Sequence, residues 1–123
     1  MLVKRIDEKN LNKMLNGATT IPGTCVVKFY SNNCHLCHNL KDYYDELANS
    51  YDEEGLYFYA FNLDDNPKVE GRLGFKGVPT IILIKISEIN TTPTIKQVAD
   101  PHTPNEHTWY SVKDIKDFIE KEK

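Results

Sequence analysis

Three runs in this chain read as strands buried on both faces, and they limit the fold more than any other feature. They are "CVVKFY" (Cys25 to Tyr30), "LYFYAFNL" (Leu56 to Leu63) and "GVPTIILIKI" (Gly77 to Ile86). Near-continuous apolar runs of this kind suit a sheet with helices on both sides, because a sheet with one wet face alternates apolar and polar residues. Between the first two runs, Leu36, Leu40, Tyr43, Tyr44, Leu47 and Tyr51 recur at helical spacing.

The rest of the chain fills in around these runs. Leu2 to Ile6 reads as a short strand. A helix through Leu11, Met14 and Leu15 follows, capped by Asp7 or Asn10 and ended by Gly17. Pro22 and Gly23 signal a turn, and Ser31 to Asn33 is polar and suits a helix cap. Pro67 marks the start of a helix near Gly71 and Gly74. Glu88 to Pro93 reads as a hairpin turn, with Thr94 to Val98 as an edge strand. A polar loop from Ala99 to Tyr110 leads to an amphipathic helix through Val112, Ile115, Phe118 and Ile119. Ser111 and Asp114 have the form of a capping box for it. The order is β-α-β-α-β-α-β-β-α in one domain, 1–123. It predicts an α/β fold with a mixed central sheet flanked by helices, mostly parallel with an antiparallel edge.

Composition narrows the function. The chain has 123 residues, 27% of them charged, and a net charge of −3. A nucleic-acid surface needs a basic excess, so no such partner is expected. Charges recur every few residues in "MLVKRIDEKNLNKML", unlike the apolar run of an export signal. No apolar stretch approaches the roughly 20 residues of a membrane span. The expectation is a cytoplasmic chain with no membrane partner. Three cysteines make no disulfide scaffold, and a lone C-x-x-C in a reducing compartment is more often catalytic or metal-binding.

The pentapeptide Cys34-His35-Leu36-Cys37-His38 fits three chemistries: a redox dithiol, a c-type haem attachment site and a set of zinc ligands. Its position favours the first. Cys34 follows a buried strand and opens a helix, whose free N–H groups and positive dipole end stabilise a thiolate. One helical turn separates the cysteines, so they can close a disulfide. By position Cys34 is the exposed nucleophile and Cys37 the shielded resolver. Cys34 attacks a substrate disulfide, and Cys37 then attacks Cys34 and releases the reduced substrate. Haem attachment takes place outside the cytoplasm, and neither Met1 nor Met14 suits an axial ligand. A structural zinc site needs four ligands, and His38, His102 and His107 do not form a second motif with the cysteines.

"VVKFYSNNCHLC", "FNLDDNP", "GVPT" and the terminal helix together resemble the thioredoxin family, in its order and spacing and over most of the chain. The resemblance implies a thioredoxin fold and a monomeric enzyme that reduces protein disulfides through Cys34 and Cys37. It implies no cofactor and no metal, with an upstream reductase as electron donor. It also implies a cis Pro79 lying against the disulfide, with the Val78 backbone offered to substrate. Asn33, His35, Leu36 and Ala99 complete the expected substrate rim.

The sequence departs from the family at several points. Asn33 replaces a common tryptophan, and His35-Leu36 replaces Gly-Pro between the cysteines. A cationic His35 would favour the thiolate and a more oxidising pair. Lys28 stands where the family usually has a buried acid, and Ala60 where its lysine partner would be. Lys28 either tunes Cys37 or snorkels to solvent without chemistry. Asp42 replaces a mid-helix proline. Cys25 reads as a small buried hydrophobe. Trp109, with His102 or His107, either shapes partner choice or packs as a lid on the core. The alternatives are a weakly active or redox-inactive binding module of the same fold, and a more oxidising isomerase or glutaredoxin-like enzyme.

Overall fold

The computed structural model describes residues 3–18, 23–51, 55–88 and 91–123. The elements are β1 (Val3–Arg5), α1 (Glu8–Leu15), β2 (Gly23–Tyr30), α2 (His35–Ser50), β3 (Leu56–Asn62), α3 (Lys68–Leu73), β4 (Thr80–Ile86), β5 (Thr94–Gln97) and α4 (Val112–Glu122). A short 3-10 turn, Leu63–Asp65, links β3 to α3. Leu2 and Pro22, expected in a strand and a turn, lie outside the described residues, as does the centre of the hairpin turn between β4 and β5.

The five strands form one sheet in the order β1-β3-β2-β4-β5. β1 and β2 run parallel to β3. β4 runs antiparallel to β2, and β5 antiparallel to β4. The antiparallel half therefore begins one strand earlier than the edge hairpin implies, and the sheet is evenly mixed. The connection from β3 to β4 covers residues 63–79, which is long enough for a parallel crossover of a dozen residues or more, so its length does not decide the direction of β4.

The alternation of side chains on β2 divides the interior into two cores. Val26 joins Leu40, Tyr44, Leu47, Ile115 and Ile119, so α2 and α4 cover one face. Val27 and Phe29 join Leu11, Met14, Val69 and Phe75, so α1 and α3 cover the other. Local chemistry fixes the ends of the helices. The Asp7 side chain accepts from the Asn10 N–H and caps α1. Past α1, Gly17 has φ +70°, and a Cβ there would come within 2.0 Å of the Thr91 carbonyl oxygen. Ser111 and Asp114 form a reciprocal capping box at α4. α2 runs unbroken for 16 residues, with Asp42 in its interior. Every residue of β5 is exposed.

Candidate active site

β2 delivers the chain to the N-terminus of α2, and Cys34 itself caps that helix. Its backbone is extended, at φ −90° and ψ 102°, and its Sγ accepts from the Cys37 N–H at 3.1 Å. The cap expected within Ser31 to Asn33 is therefore the cysteine. A sulfur that receives a helix N–H is held where negative charge is stabilised. Cys34 and Cys37 are joined in a disulfide, with Cα atoms 5.2 Å apart. Cys34 is half-buried, whereas Cys37 is 1% exposed. That difference leaves the Cys34 sulfur the more accessible of the two.

The rim gathers most of the residues expected there. The Val78–Pro79 peptide is cis, and the Val78 carbonyl oxygen lies 3.6 Å from the Cys34 Sγ. Pro79 is buried and Val78 half-buried. The turn before them is pinned at both ends. Gly77 N–H donates to Glu70 at 2.7 Å, and the Thr80 hydroxyl donates to the Gly77 carbonyl at 2.9 Å. Asn33 and His35 are exposed beside Cys34, and Leu36 is half-buried. Ala99 is exposed just past β5, and among the described residues no hydrogen bond joins it to the pair.

A polar clamp beneath the loop was not foreseen from the sequence. The Asn62 amide, on a residue 3% exposed, donates to the Asn32 side chain at 2.9 Å. Asp64 accepts from the Asn32 N–H at 2.8 Å, and its own N–H donates to Asn62 at 3.0 Å. The His38 ring meets the Asn32 carbonyl at 2.8 Å, so His38, though exposed, is tied to the loop rather than merely solvated. Asn62 followed two residues later by Asp64 is an Asx-turn signal that the sequence does carry. Its pairing with Asn32 comes from tertiary structure.

Lys28 sits opposite Ala60 on β3 and Ile81 on β4. It does not snorkel into open solvent, for the residue is 5% exposed. Its Nζ lies 5.0 Å from the Tyr44 ring centre and 5.7 Å from that of Tyr30. Burial lowers its pKa to about 8, with Asp45 opposing the shift and Lys41 adding to it. A cavity of about 300 Å³ is lined by Lys28, Cys37, Tyr30, His38 and Ala60, among others. Cys25 is 7% exposed, and burial pushes its thiol up to about 11.

The 99–110 segment turns away from open solvent at one point. Trp109 packs against the core face that holds α2 and α4. Its indole N–H donates to Asp100 at 3.2 Å. It has φ 66°, and the Tyr110 N–H donates across it to the Thr108 carbonyl at 2.7 Å. The Asn39 amide ties the His107 carbonyl to α2 at 2.8 Å. His102 is exposed. Among the described residues, no group of three or more His, Cys, Asp or Glu side chains is placed to hold a metal ion. Among the same residues, no helix is long and apolar enough to cross a membrane.

Comparison with known proteins agrees with this geometry. The chain is 30% identical over 67 residues to a thioredoxin of Thiocapsa roseopersicina, covering 54% of this chain and 72% of that protein. It is 30% identical over 60 residues to a thioredoxin of Chlorobaculum thiosulfatiphilum, covering 49% and 55%. The match thus spans little more than half of the second relative. Among solved structures, the Trx4 domain of ERdj5 superposes with a TM-score of 0.75 at 16% identity, over 98% of this chain and 95% of that one. The J-Trx1 fragment of ERdj5 gives 0.69 at 17%, over 97% and 49%. At such identities these two show the fold alone. The sequence profile of the thioredoxin family matches residues 3–107, and the chain belongs to that family.

Proposed function

We propose that this chain is a thiol–disulfide oxidoreductase that reduces disulfides in protein substrates. The observation that carries the reading is the asymmetric pair at the start of α2. Cys34 is accessible and capped by an N–H, and Cys37 is bonded to it and 1% exposed. Cys34 attacks the substrate disulfide, and its thiolate is favoured by the helix terminus. Asn33, His35, Leu36, Val78, Pro79 and Ala99 form the surface against which the substrate segment lies. The Val78 carbonyl is close enough to Cys34 to bond a substrate backbone N–H during exchange. The chain works as a cytoplasmic monomer of one domain, with no cofactor, and an upstream reductase returns it to the dithiol.

A second reading has an observation in its favour. A buried lysine sharing a cavity with Cys37 stabilises a thiolate there, and whatever stabilises the reduced form makes the pair more oxidising. Equilibrating the Cys25→Ser chain with a glutathione series separates the two. A potential near that of thioredoxins, about −270 mV, supports the reductase. A value toward roughly −180 mV or above moves the chain to isomerase or glutaredoxin-like work. A pair that does not cycle leaves a binding module.

A further inference from the structure

Resolution of a mixed disulfide needs Cys37 as a thiolate, and burial works against making one. The residue is 1% exposed, and an apolar setting holds a thiol in its neutral form. Some group must take the proton. The neighbouring cavity has several titratable side chains, and most are occupied. Asp45 of α2 is paired with Lys41 at 3.1 Å. Arg5 of β1 is paired with Asp65 at 3.1 Å. The His38 ring meets the Asn32 carbonyl. The Tyr44 hydroxyl of α2 lies 3.1 and 2.8 Å from the Val26 and Tyr59 carbonyl oxygens, which share its one proton. Tyr30 of β2 presents its ring to Lys28. Lys28 remains. Its Nζ has ring faces near it but no hydrogen bond or ion pair among the described residues.

We propose that Lys28 is the proton acceptor for Cys37 when the enzyme resolves its mixed disulfide, acting across the cavity that the two side chains share. This rests on the dithiol-exchange reading above. Lys28 as the free amine takes the proton of the Cys37 thiol, directly or through a water, for which about 300 Å³ gives ample room. The Cys37 thiolate attacks the Cys34 Sγ. The bond between Cys34 and the substrate sulfur breaks, and its electron pair leaves on the substrate. The Cys34–Cys37 disulfide forms, the substrate cysteine is reduced, and the Lys28 ammonium passes its proton to the departing thiolate or to solvent. An amine with a pKa lowered to about 8 is free often enough near neutrality to act, and once protonated it holds the thiolate by charge. Lys41 and Asp45 act on that titration in opposite directions.

Stopped-flow reaction with dithiobis(nitrobenzoate) tests this on the Cys25→Ser chain. Attack by Cys34 releases one thionitrobenzoate and leaves the other on Cys34, and attack by Cys37 releases the second. For Lys28→Met the second phase should slow by roughly tenfold or more at pH 7, with the first phase little changed. Lys28→Arg keeps the charge but is too basic to take the proton, so it should not restore the rate. An unchanged second phase in Lys28→Met, or full rescue by Lys28→Arg, would overturn the assignment. A parent chain that releases no second thionitrobenzoate would instead sink the dithiol-exchange reading itself. Should either variant fold poorly, the unmutated side chain answers. The Lys28 13Cε signal should titrate at a different midpoint in the oxidised and reduced forms, and identical midpoints would overturn the assignment.

Discussion

In the folded chain the Lys28 ammonium loses water that it keeps in the unfolded chain, so folding carries a penalty while the group is charged. The folded pKa, about 8, lies below the ordinary 10.5. Below pH 8 both states are charged and the penalty is complete. Between about 8 and 10.5 the folded chain has released the proton and the unfolded chain has not, so stability rises with pH there. The drop from 10.5 to about 8 corresponds to roughly 3 kcal/mol. Lys28→Met should therefore be more stable than the parent at pH 7 by up to about 3 kcal/mol, less the lost ring contacts. The difference should fade by about pH 10.5, as followed by urea unfolding of both chains across pH. Cys25 makes the opposite case. Its raised pKa, about 11, keeps the thiol protonated where the unfolded chain begins to ionise. With the Cys34–Cys37 pair oxidised, a thiol reagent should label nothing in the native chain and one cysteine in denaturant. Rapid native labelling would contradict the burial. The sequence shows the setting of one of these residues and hides that of the other. Cys25 in an apolar run reads correctly as buried. Lys28 in the same run does not show whether it bends to solvent, because that depends on α2 lying across it.

At the scale of single elements, the segment from Ser31 to Cys37 shows what pattern reasoning captures. Helical spacing locates α2, and the preceding buried run locates β2. The clamp that fixes the joint between them depends on Asn62 and Asp64, thirty residues away, and no local pattern reports that pairing. Asn62 is 3% exposed and spends both ends of its amide inside the clamp. Asn62→Ala leaves the Asn32 side chain and the Asp64 N–H without those partners, which should cost about 1–3 kcal/mol in denaturant unfolding. A change below the error of that measurement would mean that water replaces the amide. The start of α4 is fully local by contrast. Ser111 and Asp114 cap one another three residues apart, and the sequence shows it. Ser111→Ala should lower stability by about 1 kcal/mol, read from the same unfolding curves.

For the whole molecule, the element order was legible, and so was the central place of the three buried runs. The direction of β4 was not. A helix between two strands suggests a parallel return, yet the connection through α3 leads into a strand antiparallel to β2, and no local pattern in it reports that turn of direction. What the order does dictate is a sheet with a separate core on each side. Leu11 and Ile115 are 0% and 1% exposed, Leu11 on α1 against one face and Ile115 on α4 against the other. Truncating either to alanine removes buried methyl groups and leaves a cavity, at about 2–5 kcal/mol each. The two faces share the strands β2 and β4, whose alternate side chains supply both cores, so neither face can open without disturbing the other. Leu11→Ala and Ile115→Ala should each shift one common transition, seen at the same denaturant midpoint by far-ultraviolet circular dichroism and by Trp109 fluorescence. Trp109 packs on the Ile115 face only. If Leu11→Ala moved the circular dichroism midpoint and left the tryptophan midpoint in place, the two faces would be unfolding separately, and the single cooperative domain would have to be given up.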